Sequence, residues 1–466
     1  MIKKIPPGKP GLWRSEFKAL LILGGPMALT QLVQFSINSI DVLMVGRLGP
    51  EPLAASSIGL VVFFGLFLVG IGPAMAVSPM VSQALGENKE NFADVRRSVR
   101  TGLWVIAMGF PAALLIMMFT TPITLLLGQP ETAARLAGPY VLALAPGLPF
   151  ALGVVILRNF LAALGLTRIP LVLIIITTFF NAFMNWLLIY GNWGLPRLEL
   201  VGAGIASSLS HMLGFALLVI YSRYHKNARK FEIFKRVFQI DWPRLRELVK
   251  LGWPISVTSA FEGMLFNAAI LLTGRIGVEE VAAFQIALNL SALAFMVPLG
   301  LSMGGSVRVG LAAGARDWDG VLRACGATII SSALIMTMFG ILVTSVPQAL
   351  AGLYLELDDP ANANVLALVA SFLPIAGAFM MFDGVQVAAN QCLRGIKDVR
   401  APMVFTGISY WVVGFPLAAW LGLGTSLGAK GVWWGLLVSL VVASVLLGGR
   451  LLFLIKRNSA TGAPPV

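Results

Sequence analysis

The sequence predicts an all-α membrane protein of about twelve transmembrane helices in two pseudo-symmetric six-helix bundles. Three observations lead there. The 466 residues are 58% hydrophobic and 12% charged, with a mean hydropathy of +0.86; soluble domains carry about 25% charged residues. The apolar runs last about 20 residues, the length of a membrane-crossing helix, and do not alternate over about 10 as barrel strands do. The two halves of the chain also repeat one another. Such a composition excludes a soluble enzyme and a disordered chain.

The spans are expected near Phe17–Val45, Leu53–Gln83, Val99–Thr121, Ala133–Leu157, Ile169–Tyr190 and Gly202–Tyr221. The second set lies near Leu251–Thr273, Val281–Val307, Val321–Val346, Ala361–Leu393, Pro402–Leu423 and Gly431–Ile455. The first run is too long for a signal peptide, and no A-x-A site follows it. Prolines interrupt many spans, among them Pro26, Pro73, Pro146, Pro254, Pro298 and Pro374. Each removes a backbone donor and permits a kink.

The 34 basic residues against 21 acidic ones give a net charge of +13. In a soluble protein this would suggest nucleic acid; here the positive-inside rule accounts for it. About 29 of the 34 fall in one set of compartments: the N-terminus, alternate loops and the C-terminus. They include Lys3, Lys4, Lys9, Arg158, Arg308, Arg394 and nine residues between Arg223 and Lys250. The bias alternates without a break, so both termini are expected to be cytoplasmic. Cys325 and Cys392 form no metal or redox motif, and His211 and His225 belong to no metal-ligand spacing.

A shift of 228 residues superposes the first two spans on the seventh and eighth. Gly24 and Pro26 meet Gly252 and Pro254; Gly72, Met75 and Ser78 meet Gly300, Met303 and Ser306. About 20 of roughly 63 positions agree, where biased composition alone gives about 5–7. The expected domains are an N-terminal six-helix lobe over residues 1–222, a basic cytoplasmic linker over 223–246 and a C-terminal six-helix lobe over 247–466. Six spans per half make the repeats parallel, an arrangement suited to two lobes rocking about a site between them.

Function is carried by the buried polar residues. A carboxylate in mid-span costs about 2.5–3.5 kcal/mol on insertion scales, so one that persists there faces the bundle interior or water. Asp41, Glu262 and Asp383 sit inside apolar sequence. Gln31, Gln34, Asn38 and Asp41 form one helical stripe, and Thr178, Asn181 and Asn185 another. A carboxylate with amide and hydroxyl oxygens suits Na⁺, or, partly desolvated, a proton. Thr258, Ser259 and Glu262 share a face, as do Asp383, Gln386 and Asn390, and Gln285 with Asn289. Two carboxylates on different helices of one lobe invite a cation or a shared proton between them. No Lys or Arg is expected in mid-span to neutralise them, which favours cationic ligands. The alternative for each polar group is a hydrogen-bonded packing network.

Several segments resemble the NorM-type branch of the multidrug and toxic compound extrusion family. They are "QLVQFSINSIDVLMVGRLG", "SAFEGMLFNAAILLTGRIG", "FDGVQVAANQCLRGIKD", "FFNAFMNWLLIYG" and "VGAGIASSLS". The resemblance implies two six-helix lobes with a central cleft and export of amphipathic, often cationic drugs and dyes in exchange for Na⁺ or H⁺. It implies a cation site at Asp41, Asn181 and Asn185, with Ser207 as a further ligand, and C-lobe acids at Glu262 and Asp383. It also implies a monomer that needs no cofactor beyond the coupling ion. Phe379 departs from relatives that carry tyrosine one turn before the tenth-span acid. A lipid or polysaccharide-precursor flippase is the rival reading and would be expected to need a basic cavity. An intramembrane enzyme would need a constellation such as H-E-x-x-H, which the sequence lacks.

Overall fold

The computed structural model describes residues 11–461. Lys3, Lys4 and Lys9 lie outside the described residues, as do the side chains of Asn38 and Thr461. In chain order the helices are α1 (Leu12–Gly46), α2 (Pro50–Glu87), α3 (Phe92–Met118), α4 (Thr120–Leu126), α5 (Glu131–Leu144) and α6 (Gly147–Ala163). Then come α7 (Arg168–Tyr190), α8 (Glu199–Tyr224), α9 (Trp242–Gly274), α10 (Val278–Gly314) and α11 (Trp318–Ser345). The last are α12 (Pro347–Ala351), α13 (Ala363–Gly395), α14 (Arg400–Gly407), α15 (Phe415–Leu423) and α16 (Ala429–Thr461).

Among the described residues, eleven helices are long and apolar enough to cross a membrane, with residues 400–423 counted as one. A twelfth is made by α5 and α6, bent by 47° where they join. The fourth expected span is therefore a broken one. Pro146 is the reason: it offers no N–H to the carbonyl one turn back and stands at the N-cap of α6. The eleventh span is also irregular, because residues Ile408–Gly414 between α14 and α15 form a π-helical segment.

The chain forms two compact units. One comprises residues 32–256; the other comprises residues 11–31 and 257–461. The division cuts α1 and α9, so the leading part of each helix packs in a different unit from its trailing part.

Glycines explain how those leading parts pack. In the first unit a methyl on Gly72 of α2 would strike the Gly252 carbonyl oxygen and the Ser256 hydroxyl of α9. A methyl on Gly252 would lie 2.6 Å from Pro73 Cα. Backbones approach this closely only where small residues face each other. Pro73 leaves the Val69 carbonyl without its helical N–H, and Ser256 Oγ donates to that oxygen at 2.9 Å. The same hydroxyl accepts from the Gly72 N–H at 3.2 Å. In the second unit the same contact recurs: a methyl on Gly300 would strike the Ala28 backbone, and one on Gly304 would lie 2.7 Å from Gly24 Cα. Gly72 and Gly24 are the repeat partners of Gly300 and Gly252, so the internal repeat is a repeat of packing.

In the first unit the basic linker is docked against α3. Arg100 Nη1 donates to the Arg236 carbonyl at 3.1 Å, and Arg244 Nη2 to Ser98 Oγ at 2.9 Å. Trp104 Nε1 donates to the Val237 carbonyl, and Phe231 packs edge-on against Phe92 and Phe160. Arg97 pairs with Asp241. That hydrogen bond holds the Asp241 carboxyl below its ordinary range, burial opposing it.

In the second unit the core gathers around α13, with Phe372, Phe379, Trp433 and Tyr410 fully or nearly fully buried. Arg308 Nε donates to Glu16 Oε1 at 2.8 Å, and Arg450 Nε to Asp398 Oδ2 at 2.8 Å.

Candidate cation and ligand sites

The first unit encloses a cavity of about 250 Å³. Asp41 reaches it from α1, Asn181 from α7 and Ser207 from α8. The spacings expected from the sequence set this up, since Asn181 and Asn185 lie one turn apart on α7. Asn185 Nδ2 donates to Asp41 Oδ1 at 2.6 Å and to Asn181 Oδ1 at 3.2 Å. The Ser207 hydroxyl also hydrogen-bonds Asp41. Asn185 is fully buried, and its Oδ1 has no hydrogen-bond partner among the described residues. An unmatched buried acceptor beside a carboxylate fits a hard cation, which draws in oxygen ligands. Thr178 does not join the group; its hydroxyl donates to the Ile174 carbonyl of its own helix.

Gln34 also lines the cavity, but its partner is unexpected. Arg158 Nη1 donates to Gln34 Oε1 at 3.1 Å, and Arg158 itself lines the cavity. Arg158 is thus a residue of α6 and not of a loop, near the end of a helix that continues to Ala163 past the expected limit at Leu157. The run Gly147–Ala163 continues helical past it, and its guanidinium turns inward. His211, isolated in the sequence, lines the same cavity, as does Tyr140. No sequence spacing marks Arg158 or His211. Asn38 belongs to the expected stripe, but its side chain lies outside the described residues.

In the second unit Asp383, Gln386 and Asn390 are all buried on α13, as their spacing requires. Each has one side-chain oxygen without a partner among the described residues: Asp383 Oδ1, Gln386 Oε1 and Asn390 Oδ1. Glu262 on α9 lies within Coulomb range of Asp383 and of the buried Arg394. Arg394 is buried in the last turn of α13, at the end of the helix and one residue past the expected limit at Leu393. Tyr410, from the π-helical segment, brings a buried hydroxyl without a partner within range of both acids. Sequence reasoning passed over Tyr410, because a lone tyrosine in an apolar span carries no periodic signal. Phe379 packs edge-on against Trp433 at 5.5 Å between centroids. Gln285 and Asn289 are exposed, on the face of α10 opposite the one that carries Phe284 and Ala287 into the core. Both free cysteines are buried.

Duplicated helical halves that cross a membrane and bury carboxylates define a polytopic membrane transporter. The MatE family model matches residues 26–187 and 254–420. The two matches begin at Pro26 and Pro254, the pair that the internal repeat superposes. Among curated relatives, the "Probable multidrug resistance protein NorM" of Rhizobium meliloti is 41% identical, covering 97% of this chain and 96% of that one. The protein of the same description from Mesorhizobium japonicum is 38% identical, covering 94% and 93%. Among solved structures, an outward-facing multidrug resistance MATE family transporter has a TM-score of 0.87 at 20% identity, covering 98% of this chain and all of that one. The chain belongs to the MatE family, as a NorM-type member, and so to a family of transporters and not of enzymes.

Proposed function

We propose that the chain is a cation-coupled multidrug efflux antiporter of the bacterial inner membrane, exporting amphipathic, often cationic drugs and dyes by alternating access. The names of its NorM relatives support drug substrates. The observation that carries the coupling is Asp41, held on a cavity wall by Asn185 and Ser207 beside an unpartnered buried oxygen.

In this reading Asp41, Asn181, Asn185 and Ser207 hold the transported Na⁺ or proton. Glu262 and Asp383 bind a cation, a proton or a cationic drug, and Tyr410 and Gln386 border that pair. Gln34 and Asn38 support the first site, and Gln285 and Asn289 serve as exposed polar contacts. The working lobes are residues 1–222 and 247–466, joined by the linker at 223–246. Both termini are cytoplasmic, and the protein acts as a monomer in contact with membrane lipid. Exchange requires that cation and drug favour different lobe arrangements, since equal affinity for both moves nothing.

The flippase reading gains nothing from Arg158. One guanidinium facing one carboxylate gives the cavity no net positive charge for a diphosphate.

The test uses purified protein in liposomes, with a fluorescent cationic dye and either a Na⁺ gradient or a pH gradient alone. Accumulation of dye beyond equilibrium under one of them is expected. Mere equilibration under both would overturn the antiport reading.

A further inference from the structure

Phe238 is an apolar side chain left outside in a basic linker. It is 91% exposed, although Phe231 and Ile233 of the same linker are buried. A large apolar group facing outward from a polar segment calls for a partner. Two contacts within the first unit fix its level. Arg100 Nη1 donates to the Arg236 carbonyl, and Trp104 Nε1 to the Val237 carbonyl. Arg100 is the last charged residue of α3, and the apolar run to Met118 begins in the turn that holds Trp104. That turn is where the helix passes from water into lipid, the level at which tryptophan settles. Residues 236–238 are therefore tied to the boundary of the bilayer.

Charge at this level is unbalanced. Arg97 pairs with Asp94 and Asp241, while Arg96 and Lys235 share Glu232. Arg100 lies within Coulomb range of Arg96, Arg97 and Arg236, and of one acid, Asp241. Arg100 is buried, and its Nε has no partner among the described residues. Arg236 is exposed and makes no ion pair among the described residues. Its backbone sits at φ 56°, a region that side-chain-bearing residues rarely adopt, and Arg100 holds its carbonyl there.

We propose that Arg236 and Phe238 form a docking point for anionic phospholipid at the membrane surface. The guanidinium takes the headgroup phosphate in a two-pronged contact, and the phenyl ring enters beside the acyl chains. The surplus charge of Arg100 and its neighbours favours an anionic headgroup, because the ammonium of a zwitterionic one meets like charge. Docking holds the linker, and with it the start of α9, against the bilayer. The inference needs only that α3 crosses a membrane and stands whatever the chain exports.

The experiment places a fluorophore on Gln239→Cys, an exposed position; Cys325 and Cys392 are buried and stay unlabelled. The protein is held in nanodiscs of phosphatidylcholine alone, or of phosphatidylcholine and phosphatidylglycerol in equal parts. A nitroxide on the shallow acyl carbons of a phosphatidylcholine quenches the docked fraction. The docking equilibrium should be roughly 5-fold more favourable with phosphatidylglycerol, the effect of one arginine at an anionic surface. Arg236→Gln should remove most of that gain, and Arg236→Lys should keep it. Phe238→Ser should lower quenching in both lipids. The gain is a ratio taken on one protein, so it does not depend on how much of a variant folds. Equal quenching of the wild-type linker in both lipids would overturn the anionic docking, and quenching in neither would place Phe238 in water. A gain retained by Arg236→Gln would overturn the assignment to that residue. Inorganic phosphate should reduce the gain no more than chloride of equal ionic strength; a larger reduction would mark a site for free phosphate and contradict the lipid reading.

Discussion

Asp41 and Glu262 belong to the same duplicated helix but stand two turns apart in register. Glu262 superposes on Gln34, and Asp41 on Ala269, a fully packed core residue. Their surroundings differ as much as their positions. Asp41 is a single carboxylate, supplied with an amide and a hydroxyl donor on a cavity wall. Glu262 and Asp383 are a pair within range of each other, and Asp383, Gln386 and Asn390 on α13 each keep one buried oxygen without a donor among the described residues. A carboxylate already given donors is held in place to receive a cation. Two carboxylates among acceptors call for positive charge or a shared proton between them, and Arg394 and Tyr410 answer only part of that. One duplication has thus produced two acidic sites of different chemistry, on two units whose helix packing is still the same.

The largest effect is expected where the donors converge. Asp41→Asn should abolish gradient-driven dye accumulation while leaving the purified protein's thermal unfolding curve in place. Asp383→Asn should slow transport by tens of fold, less than the loss at Asp41, because Glu262 remains to bind positive charge; initial rates in liposomes decide this ordering. Equal losses at the two acids would erase the distinction between the units. Asn185→Ala removes a charge-assisted hydrogen bond of about 1.5–3 kcal/mol, so the coupling cation should be needed at roughly 10-fold higher concentration for half-maximal rate.

The packing half of the comparison is tested by Gly72→Ala and Gly300→Ala. Each places a methyl against backbone of the facing helix. Each should cost about 1–3 kcal/mol, seen as a lower unfolding temperature. A large loss at one and none at the other would show that the two units no longer pack alike. The smallest effect is expected at the linker. Asp241→Asn should cost about 1 kcal/mol, since Arg97 is half-exposed and water screens the pair. In the wild-type protein the Asp241 carboxyl is held low by Arg97, so its contribution is complete above about pH 4 and fades as pH falls through the lowered value. Faster proteolysis of residues 225–241 in the variant at neutral pH is the readout.

The sequence made legible what periodicity and repetition encode. Apolar run length shows the spans, and the Gly24/Gly252 and Gly72/Gly300 pairs show the duplication. Helical spacing places Asn181 with Asn185 and Asp383 with Gln386. Periodicity says which residues share a face, but not where that face points, so Gln285 and Asn289 were expected inside and are exposed. A basic residue near the end of an apolar run reads equally as loop or lining, which is why Arg158 and Arg394 were placed outside the spans. The bend at Pro146 and the π-helical segment that carries Tyr410 depend on neighbouring helices, and neither leaves a local pattern.

One measurement reaches the central claim most directly. Wild-type and Asp41→Asn proteins are reconstituted at equal density in sealed liposomes, and dye accumulation is followed after a Na⁺ or pH jump. The account predicts accumulation by wild type and none by Asp41→Asn, with both proteins still binding dye in detergent. Accumulation by Asp41→Asn at the wild-type rate would contradict it.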